Sequence, residues 1–395
     1  MAAKNAAGRM ELADPVTPDG AVLLGRARVP GFTYPRIVTV RDGSLVDITG
    51  RTAPTVRDVL ERSDAVDYVR SVRGHPVDRI ADVMENSASR RPDPALASLL
   101  APVDLQAIKA AGVTFVVSLL ERVIEEQARG DKGRADALRG EIVDLIGANL
   151  GELVPGSDAA MKVKDTLIAR GMWSQYLEVG IGPDPEIFTK CQPMAAVGHG
   201  ADVGLHPVSS WNNPEPEVAL VVSSTGRIVG ATLGNDVNLR DVEGRSALLL
   251  GKAKDNNASA SLGPFVRLFD ETFTLDTISQ ADVALTVTGE DGFRLEGKSS
   301  MSQISRPPAD LVASAMGRHH QYPDGMVLYL GTMFAPVQDR DGAGKGFTHK
   351  LGDMVSISTP ELGTLTNRVR LSTECPPWTY GTSQLFRDLA QARLV

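Results

Sequence analysis

The second half of the chain alternates short apolar segments with turn residues, and this pattern limits the fold more than any other feature. From about Tyr176 onward, clusters of Gly, Asn, Asp and Pro separate the segments VALVV, IVGAT, VALTV, MVLYL and MVSIS. This spacing is typical of strands joined by tight turns. One helix is predicted from Pro307-Pro308 to about Met316, because proline is favoured in a first helical turn. We therefore predict an α+β, β-rich fold built on a mixed β-sandwich or roll.

The first hundred residues mix strands and helices differently. A helix is predicted from about Thr55 to Asp64, since Thr55 and Asp58 have the spacing of a capping box. Three prolines between residues 92 and 102 indicate a linker. We predict a smaller N-terminal α/β domain at residues 1–98 and a main domain at residues 99–395. Residues 117–146 are predicted to be helical, with an interruption near Gly130.

Charge and composition exclude several classes of partner. The chain carries 41 Lys and Arg against 49 Asp and Glu, a net charge of −8, and a sequence-independent nucleic-acid binder needs a basic surface. No segment approaches the roughly 20 apolar residues of a membrane helix. The N-terminus lacks a signal-peptide core, and two cysteines suit a reducing compartment. We expect a cytoplasmic protein without nucleic-acid or membrane partners.

Three carboxylates are predicted to converge at one end of a β-hairpin. Glu215 and Glu217 are two residues apart, so on a strand they share a face. If the chain turns in a two-residue loop at Thr225-Gly226, Asp236 lies directly opposite Glu215. Three such carboxylates repel one another unless a cation joins them, and a hard divalent ion is the natural one. We predict Mg²⁺, with Mn²⁺ or Ca²⁺ as alternatives; the other interpretation is a solvated strand face.

Cationic residues follow the hairpin closely in sequence. Lys252 or Lys254 could hold a carboxylate or stabilise an oxyanion, and the alternative for each is an exposed surface lysine. These residues belong to five ordered motifs that resemble the fumarylacetoacetate hydrolase family over most of residues 100–395. The family pattern is E-x-E, N-D-x-x-x-R-D, G-K-S-F-D, T-G-T and G-D-x-V. The matching residues are 215–217, 235–241, 251–255, 330–332 and 352–355.

The resemblance implies a mixed β-roll that is usually dimeric, so we expect a homodimer or a dimer of dimers. It also implies a role for several residues. By this resemblance the metal ligands are Glu215, Glu217 and Asp236, the active-site lysine is Lys252, and the keto-acid contacts are Lys190, Arg240 and Thr332.

One departure from the family pattern bears on the reaction. Family members that cleave acylpyruvates carry N-Y-x-x-H-x-x-E, whereas residues 114–121 keep Glu121 but have Ser118 in place of the histidine. A serine does not accept a proton near neutral pH. Within the family the chain is similar to members that dehydrate 2-keto-3-deoxypentonates in non-phosphorylating pentose breakdown. This similarity implies metal-dependent loss of water through an enolate to give 2,5-dioxopentanoate.

Three functional hypotheses follow from these residues. The first is the dehydratase, with Glu121 as acid and base and Ser118 as a hydrogen-bonding partner of the substrate, because residues three apart share a helical face. The second is a hydrolase that cleaves a C–C bond in an acylpyruvate or diketo acid. The third is a metal-bound keto-acid-binding protein without catalysis. The substrate is in each case a small keto acid.

Overall fold

The computed structural model describes residues 18, 20–129, 131, 133–134, 153–169, 171, 173–334, 336–342 and 345–395. Strands dominate these residues. In chain order they are β1 (Leu23–Arg28), β2 (Arg36–Arg41), β3 (Ser44–Asp47), β4 (His75–Arg79), β5 (Ser98–Leu100), β6 (Ala107–Gly112), β7 (Glu186–Cys191), β8 (Asp202–Leu205), β9 (Asn212–Asn213), β10 (Pro216–Val222), β11 (Ile228–Asp236), β12 (Asn238–Leu239), β13 (Ala260–Leu268), β14 (Asp282–Thr288), β15 (Arg294–Ser300), β16 (Met326–Tyr329), β17 (Met354–Thr359) and β18 (Gly363–Leu371).

Helices lie between and around these strands. They are α1 (Val56–Leu60), α2 (Ala65–Ser71), α3 (Ile80–Ala88), α4 (Val116–Gln127), α5 (Asp158–Ala169), α6 (Gln175–Ile181), α7 (Arg240–Glu243), α8 (Leu250–Lys254), α9 (Leu275–Ile278), α10 (Pro308–Ala315) and α11 (Thr382–Gln391). Thr55 caps α1 through the predicted capping box with Asp58. Across the described residues we find no helical segment with the length and apolar character needed to span a membrane.

Two main sheets organise the described residues. The larger has the order β4-β3-β2-β1-β13-β11-β10-β16-β6-β7, with β5 paired to β1, and the smaller has the order β15-β14-β17-β18-β8. Parallel pairs (β16 with β6, β18 with β8) occur among antiparallel ones, so both sheets are mixed. A short pair, β9 with β12, lies beside the start of β10.

The central hairpin buries both of its faces, and this explains its continuous apolar sequence. In β10, Val218, Leu220 and Val222 pack in the core shared with the smaller sheet. Ala219 and Val221 point the other way, into a second core that includes α1 and α2. Period-two alternation then places Glu215 and Glu217 on the same face as Ala219. The carboxylates therefore lie at one end of a buried face.

The register of the hairpin agrees with the prediction, although its turn differs. Pro216 pairs with Asn235, and Asp236 N donates a hydrogen bond to Glu215 O, so Asp236 lies opposite Glu215. At the turn, however, Ser223 pairs with Arg227 around a three-residue loop. Val222 then pairs with Ile228, and a bulge at Val229 restores the predicted register. The two departures from a two-residue loop cancel.

The α+β, β-rich class and the sandwich of mixed sheets are confirmed. Helix α10 lies where the Pro307-Pro308 signal predicted it. The predicted helix at residues 117–146 coincides with α4 in its first part, and residues 135–146 lie outside the described residues. The N-terminal strands join the larger sheet through the pairing of β1 with β13, and the predicted linker contains β5. The division at residue 98 stays a prediction.

Candidate metal centre

Three buried carboxylates meet where β10 begins and β11 ends. Glu215, Glu217 and Asp236 each offer an oxygen, and these oxygens lie within 4.8 Å of one another. Each residue is at most 2% exposed. Glu215 directly precedes β10 and Asp236 is the last residue of β11, so the hairpin register brings the two together. The structure thus groups the three residues that the sequence proposed as ligands.

Glu217 carries the largest electrostatic cost of the three. Burial raises the pKa of Glu217 well above its usual range, and the nearby Asp236 and Glu215 raise it further. Among the described residues its one hydrogen-bond donor is the backbone N–H of Gly331, at 2.7 Å from Oε2. Gly331 has φ +98°, and a Cβ there would collide with Thr114 Oγ1. Only glycine brings this amide so close to the carboxylate.

Two lysines face Asp236 from different elements. Lys254, the last residue of α8, places Nζ 2.5 Å from Glu215 Oε2 and 3.2 Å from Asp236 Oδ2. Lys190 Nζ lies 2.7 Å from Asp236 Oδ1. Lys190 is the extra residue of a bulge in β7, since Cys191 pairs with Ile108 and Thr189 with Lys109. Although burial acts to raise the pKa of Asp236, the two lysines lower it.

Helix α4 contributes an arginine that the sequence interpretation missed. Arg122 forms an ion pair with Glu215, and its second terminal nitrogen lies 3.2 Å from Glu243 Oε2. All three side chains are buried. The sequence did contain a signal for Arg122. It directly follows Glu121, the predicted acid and base, on a helix that was expected to lie at the site. The sequence alone did not reveal which residue of this helix faces the carboxylates.

Glu186, the first residue of β7, was also missed. It lines the small cavity around the three carboxylates together with Phe188, two residues further along the strand. Its partner across the ladder is Gly112, and a Cβ on Gly112 would lie 1.9 Å from Glu186 Oε2. The glycine therefore makes room for this carboxyl group. Burial, reinforced by Glu243, raises the pKa of Glu186 to about 7.

The charge balance and donor chemistry fit a divalent cation. Among the described residues, five carboxylates line the cavity and three cations lie beside them: Arg122, Lys190 and Lys254. The lining carboxylates are Glu186, Glu215, Glu217, Asp236 and Glu243. With every group ionised, the cluster carries an excess of two negative charges, which one divalent ion neutralises. An all-oxygen donor set favours Mg²⁺, Mn²⁺ or Ca²⁺ over softer metals.

The structure corrects the position assigned to Lys252. This residue is exposed on α8 and does not line the carboxylate cavity, whereas Lys254 is buried and reaches two of the carboxylates. The two lysines are separated by one residue on a short helix, so their side chains point in different directions. The motif located the helix, and of its two lysines the structure brings Lys254 to the carboxylates. The catalytic role assigned to Lys252 stays a prediction.

The remaining predicted residues lie in and around the same region. Thr332 lines the cavity and its Oγ1 donates to Phe334 O at 3.0 Å. Arg240 is buried, with Nε 2.8 Å from Asn213 Oδ1 and its guanidinium 5.5 Å from the centre of the Trp211 ring. Ser118 and Glu121 are both buried on α4 but do not line the cavity. Their roles stay predictions.

The family comparison decides the classification. Residues 176–370 match the family model described as fumarylacetoacetate (FAA) hydrolase C-terminal. This part of the chain belongs to the fumarylacetoacetate hydrolase family. The matched residues contain the three carboxylates, Lys190, Lys254 and Arg240, while helix α4 with Arg122 precedes them. The resemblance drawn from five motifs is therefore confirmed.

Three individual proteins are similar to this chain over large parts of its length. A probable 2-keto-3-deoxyxylonate dehydratase of Haloferax volcanii is 28% identical over 85% of this chain and 95% of its own length. A 2-dehydro-3-deoxy-D-arabinonate dehydratase of Saccharolobus solfataricus is 32% identical over 47% of this chain and 59% of its own length. A solved 2-keto-3-deoxy-D-arabinonate dehydratase, complexed with magnesium and 2,5-dioxopentanoate, shares the fold with a TM-score of 0.60, at 21% identity over 88% of this chain and 99% of that one.

The raised pKa of Glu217 predicts how metal stabilisation depends on pH. A carboxyl group with a raised folded-state pKa contributes stability at low pH that is lost as the pH rises through that pKa. A bound cation favours the ionised form and offsets the loss. We therefore expect saturating Mg²⁺ to raise the Tm more at pH 8 than at pH 6, which differential scanning fluorimetry measures. An equal shift at both values, or the same shift with K⁺ at matched ionic strength, would contradict the site.

Proposed function

We propose that this protein is a divalent-metal-dependent dehydratase that converts a 2-keto-3-deoxy-D-pentonate into 2,5-dioxopentanoate and water. The observation that carries the proposal is the buried cluster of Glu215, Glu217 and Asp236 beside Lys254. Support comes from the Haloferax volcanii relative, which aligns along nearly its whole length and is named for this class of reaction. The substrate carries a 1-carboxylate and a 2-ketone, two oxygen donors suited to such a site.

The residues proposed to hold the metal are Glu215, Glu217 and Asp236. A divalent ion bound there polarises the 2-ketone and makes the C3 protons more acidic. Lys254 lies against two of these carboxylates, where its ammonium group can compensate negative charge that develops on the substrate oxygen. Arg122 pairs with Oε1 of Glu215, the oxygen that Lys254 does not contact, and so holds this carboxylate in place. Thr332 and Arg240 are proposed to bind the keto acid.

Proton transfer requires a group that exchanges a proton near neutral pH. Glu186 meets this requirement, because it lines the carboxylate cavity and its pKa is raised to about 7. We propose that it takes a proton from C3 and returns one as the C4 hydroxyl leaves as water, which leaves a C3–C4 double bond. Loss of a proton from C5 and protonation at C3 then give a C4–C5 enol, whose tautomerisation produces the aldehyde of 2,5-dioxopentanoate. Ser118 Oγ is buried and has no hydrogen-bond partner among the described residues. It shares a helical face with Arg122 and is proposed to bind a substrate hydroxyl.

The test of the function compares two substrate classes, each with its own product assay. The protein is incubated with 2-keto-3-deoxy-D-pentonate and Mg²⁺, and the aldehyde is followed by coupled oxidation with an aldehyde dehydrogenase. EDTA is expected to abolish the signal and Mg²⁺ to restore it. Parallel incubations with acylpyruvates are assayed for released pyruvate. Pyruvate release without aldehyde formation would favour the C–C hydrolase, and full activity in EDTA would remove the metal from the proposal.

Replacing Glu186 by Gln is expected to lower kcat by about 100-fold or more. As the base at C3, Glu186 must be ionised, so wild-type activity should rise with pH through about 7, and this limb should disappear in the variant. The comparison variant is Glu121→Gln, because the sequence analysis predicted Glu121 as the acid and base. Measured pH–rate profiles decide between them: a flat, weak profile in E121Q together with a normal one in E186Q would return the role to Glu121.

We also propose that the protein acts in the cytoplasm as a homodimer or a dimer of dimers. Both cysteines, Cys191 and Cys375, are buried free thiols, which suits a reducing compartment. Sedimentation analysis of the purified chain tests the assembly, and a monomer with full activity would contradict it.

A further inference from the structure

A second cavity lies away from the carboxylate cluster, and none of the residues that line it lines the metal centre. Its volume is about 640 Å³, within the range of sites for small molecules. We call it the arginine cleft. Its walls come from the end of β1 with the loop that follows, from residues 194–202 and from residues 376–380.

The charge of the cleft is opposite to that of the whole chain. Its described lining contains four arginines against a single carboxylate, Asp202: the arginines are Arg26, Arg28, Arg90 and Arg368. Asp202 lies 3.4 Å from Arg368, and Arg90 pairs with Glu290 near the surface. Arg28 is exposed at the rim and forms no ion pair with any described residue. A chain with net charge −8 thus presents a cationic concavity here, which attracts anions.

Aromatic side chains form much of the remaining wall. Phe32, Tyr34, Trp378 and Tyr380 all line the cleft. Phe32 and Trp378 are 46% and 47% exposed, so both rings keep a large accessible surface. Rings and guanidinium groups together provide flat surfaces on which a planar group can stack. Arg36 already stacks in this way over Phe32, at 4.0 Å from the ring centre.

The floor of the cleft is held in an uncommon backbone conformation. Met194 and Ala258 have φ +66° and +59°, a left-handed region that side chains with a Cβ rarely adopt. Both residues line the cleft. Such conformations persist where the surrounding structure imposes them, and they concentrate at binding sites. Gly198 supports the same floor, because a Cβ there would lie 2.4 Å from the backbone of Leu100.

We propose that the arginine cleft is a second binding site, which takes a small molecule that combines a planar ring with a phosphate or carboxylate group. Arg28 supplies a charge-assisted donor for the anion, Arg90 and Arg368 add positive charge to the wall, and the aromatic side chains accept the ring. Arg26 is held by the backbone carbonyls of Ala101 and Val103 and contributes only its charge. Neither feature serves the carboxylate cluster, which binds a cation.

The experiment is calorimetric titration of the full chain with AMP, a probe that carries both a planar ring and a phosphate. Adenosine and ribose 5-phosphate are the matched probes that each lack one part. AMP is expected to bind at least 10-fold more tightly than either. Arg28→Glu should weaken AMP binding at least 10-fold, whereas Arg318→Glu, the same charge change on an exposed arginine outside the cleft, should leave it unchanged. Trp378→Phe should remove any AMP-dependent change in tryptophan fluorescence.

Three results would overturn the proposal. The first is no heat of AMP binding at millimolar concentration. The second is an equal loss of binding in the Arg28 and Arg318 variants, which would indicate a general charge effect. The third is dissociation of an oligomer by Arg28→Glu in sedimentation analysis, because the cleft would then be covered by a second copy of the chain. Retained Mg²⁺ stabilisation in each variant shows that the fold and metal centre are intact.

Discussion

Replacing Glu217 by Gln is expected to lower activity by about 10³-fold or more while leaving the metal-free protein at least as stable as wild type. The amide keeps the shape and accepts the same Gly331 N–H, but it cannot provide the charge that the metal requires. Since burial raises the pKa of Glu217, the wild-type carboxylate opposes folding at high pH and the neutral amide does not. The metal-free variant should therefore gain roughly 1–4 °C in Tm at pH 8.

The measurements are scanning fluorimetry with and without Mg²⁺, together with the coupled aldehyde assay. The matched control is Glu296→Gln, the same change at an exposed position of β15. This variant should change neither the Tm nor the activity. Retained Mg²⁺ stabilisation in E217Q would remove Glu217 from the ligand set. A large fall in the stability of the metal-free variant would contradict this expectation. It would mean that neighbouring positive charges already stabilise the ionised Glu217 in the absence of a metal ion.

Replacing Lys254 by Met is expected to lower kcat by about 10³-fold or more, because the ammonium group lies against Glu215 and Asp236 in the centre of the cluster. It should also lower the stability of the metal-free protein by on the order of 3 kcal/mol, the lower end for a broken buried ion pair. The loss is limited because Glu215 keeps Arg122 and Asp236 keeps Lys190. Mg²⁺ should raise the Tm of this variant more than that of wild type, since one competing cation is gone.

Lys252→Met is the matched control, because Lys252 lies two residues before Lys254 on the same short helix and is exposed. It should keep its stability and at least half of the activity. Comparing the activities of the two variants shows whether turnover depends on Lys252, which the motif indicated, or on Lys254, which the structure brings to the carboxylates. An inactive Lys252 variant beside an active Lys254 variant would restore the motif assignment and would require α8 to turn when substrate binds.

The convergence of the three carboxylates on one hairpin could be predicted from local sequence, because strand alternation and turn position together fix which residues face each other. Glu215, Glu217 and Asp236 lie within about twenty residues of one another, and the period of two assigns them to one face. The predicted pairing of Glu215 with Asp236 is correct although the loop has three residues and not two, because the bulge at Val229 restores the register. A buried face also penalises any slip of one residue, because every side chain would change sides.

The charged groups around these three carboxylates could not be predicted from strand alternation and turn position. Arg122 and Glu186 come from elements far from the hairpin in sequence, and nothing local to them indicates which carboxylate they approach. Lys190 reaches Asp236 through a bulge, which changes the face of a side chain without any clear mark in the sequence. The choice between Lys252 and Lys254 depends on the rotation of a five-residue helix about its axis, and that rotation is set by packing.

The sequence by itself determined the β-rich class, the family resemblance and the convergence of the three carboxylates, because strand periodicity and motif spacing are properties of neighbouring residues. The tertiary structure decided the electrostatics of the site. It selected Lys254, brought in Arg122 and Glu186, and raised the pKa values of Glu186 and Glu217. These outcomes depend on burial and on charges brought together from distant segments, and both arise only when the sheets, α4 and α8 pack against one another.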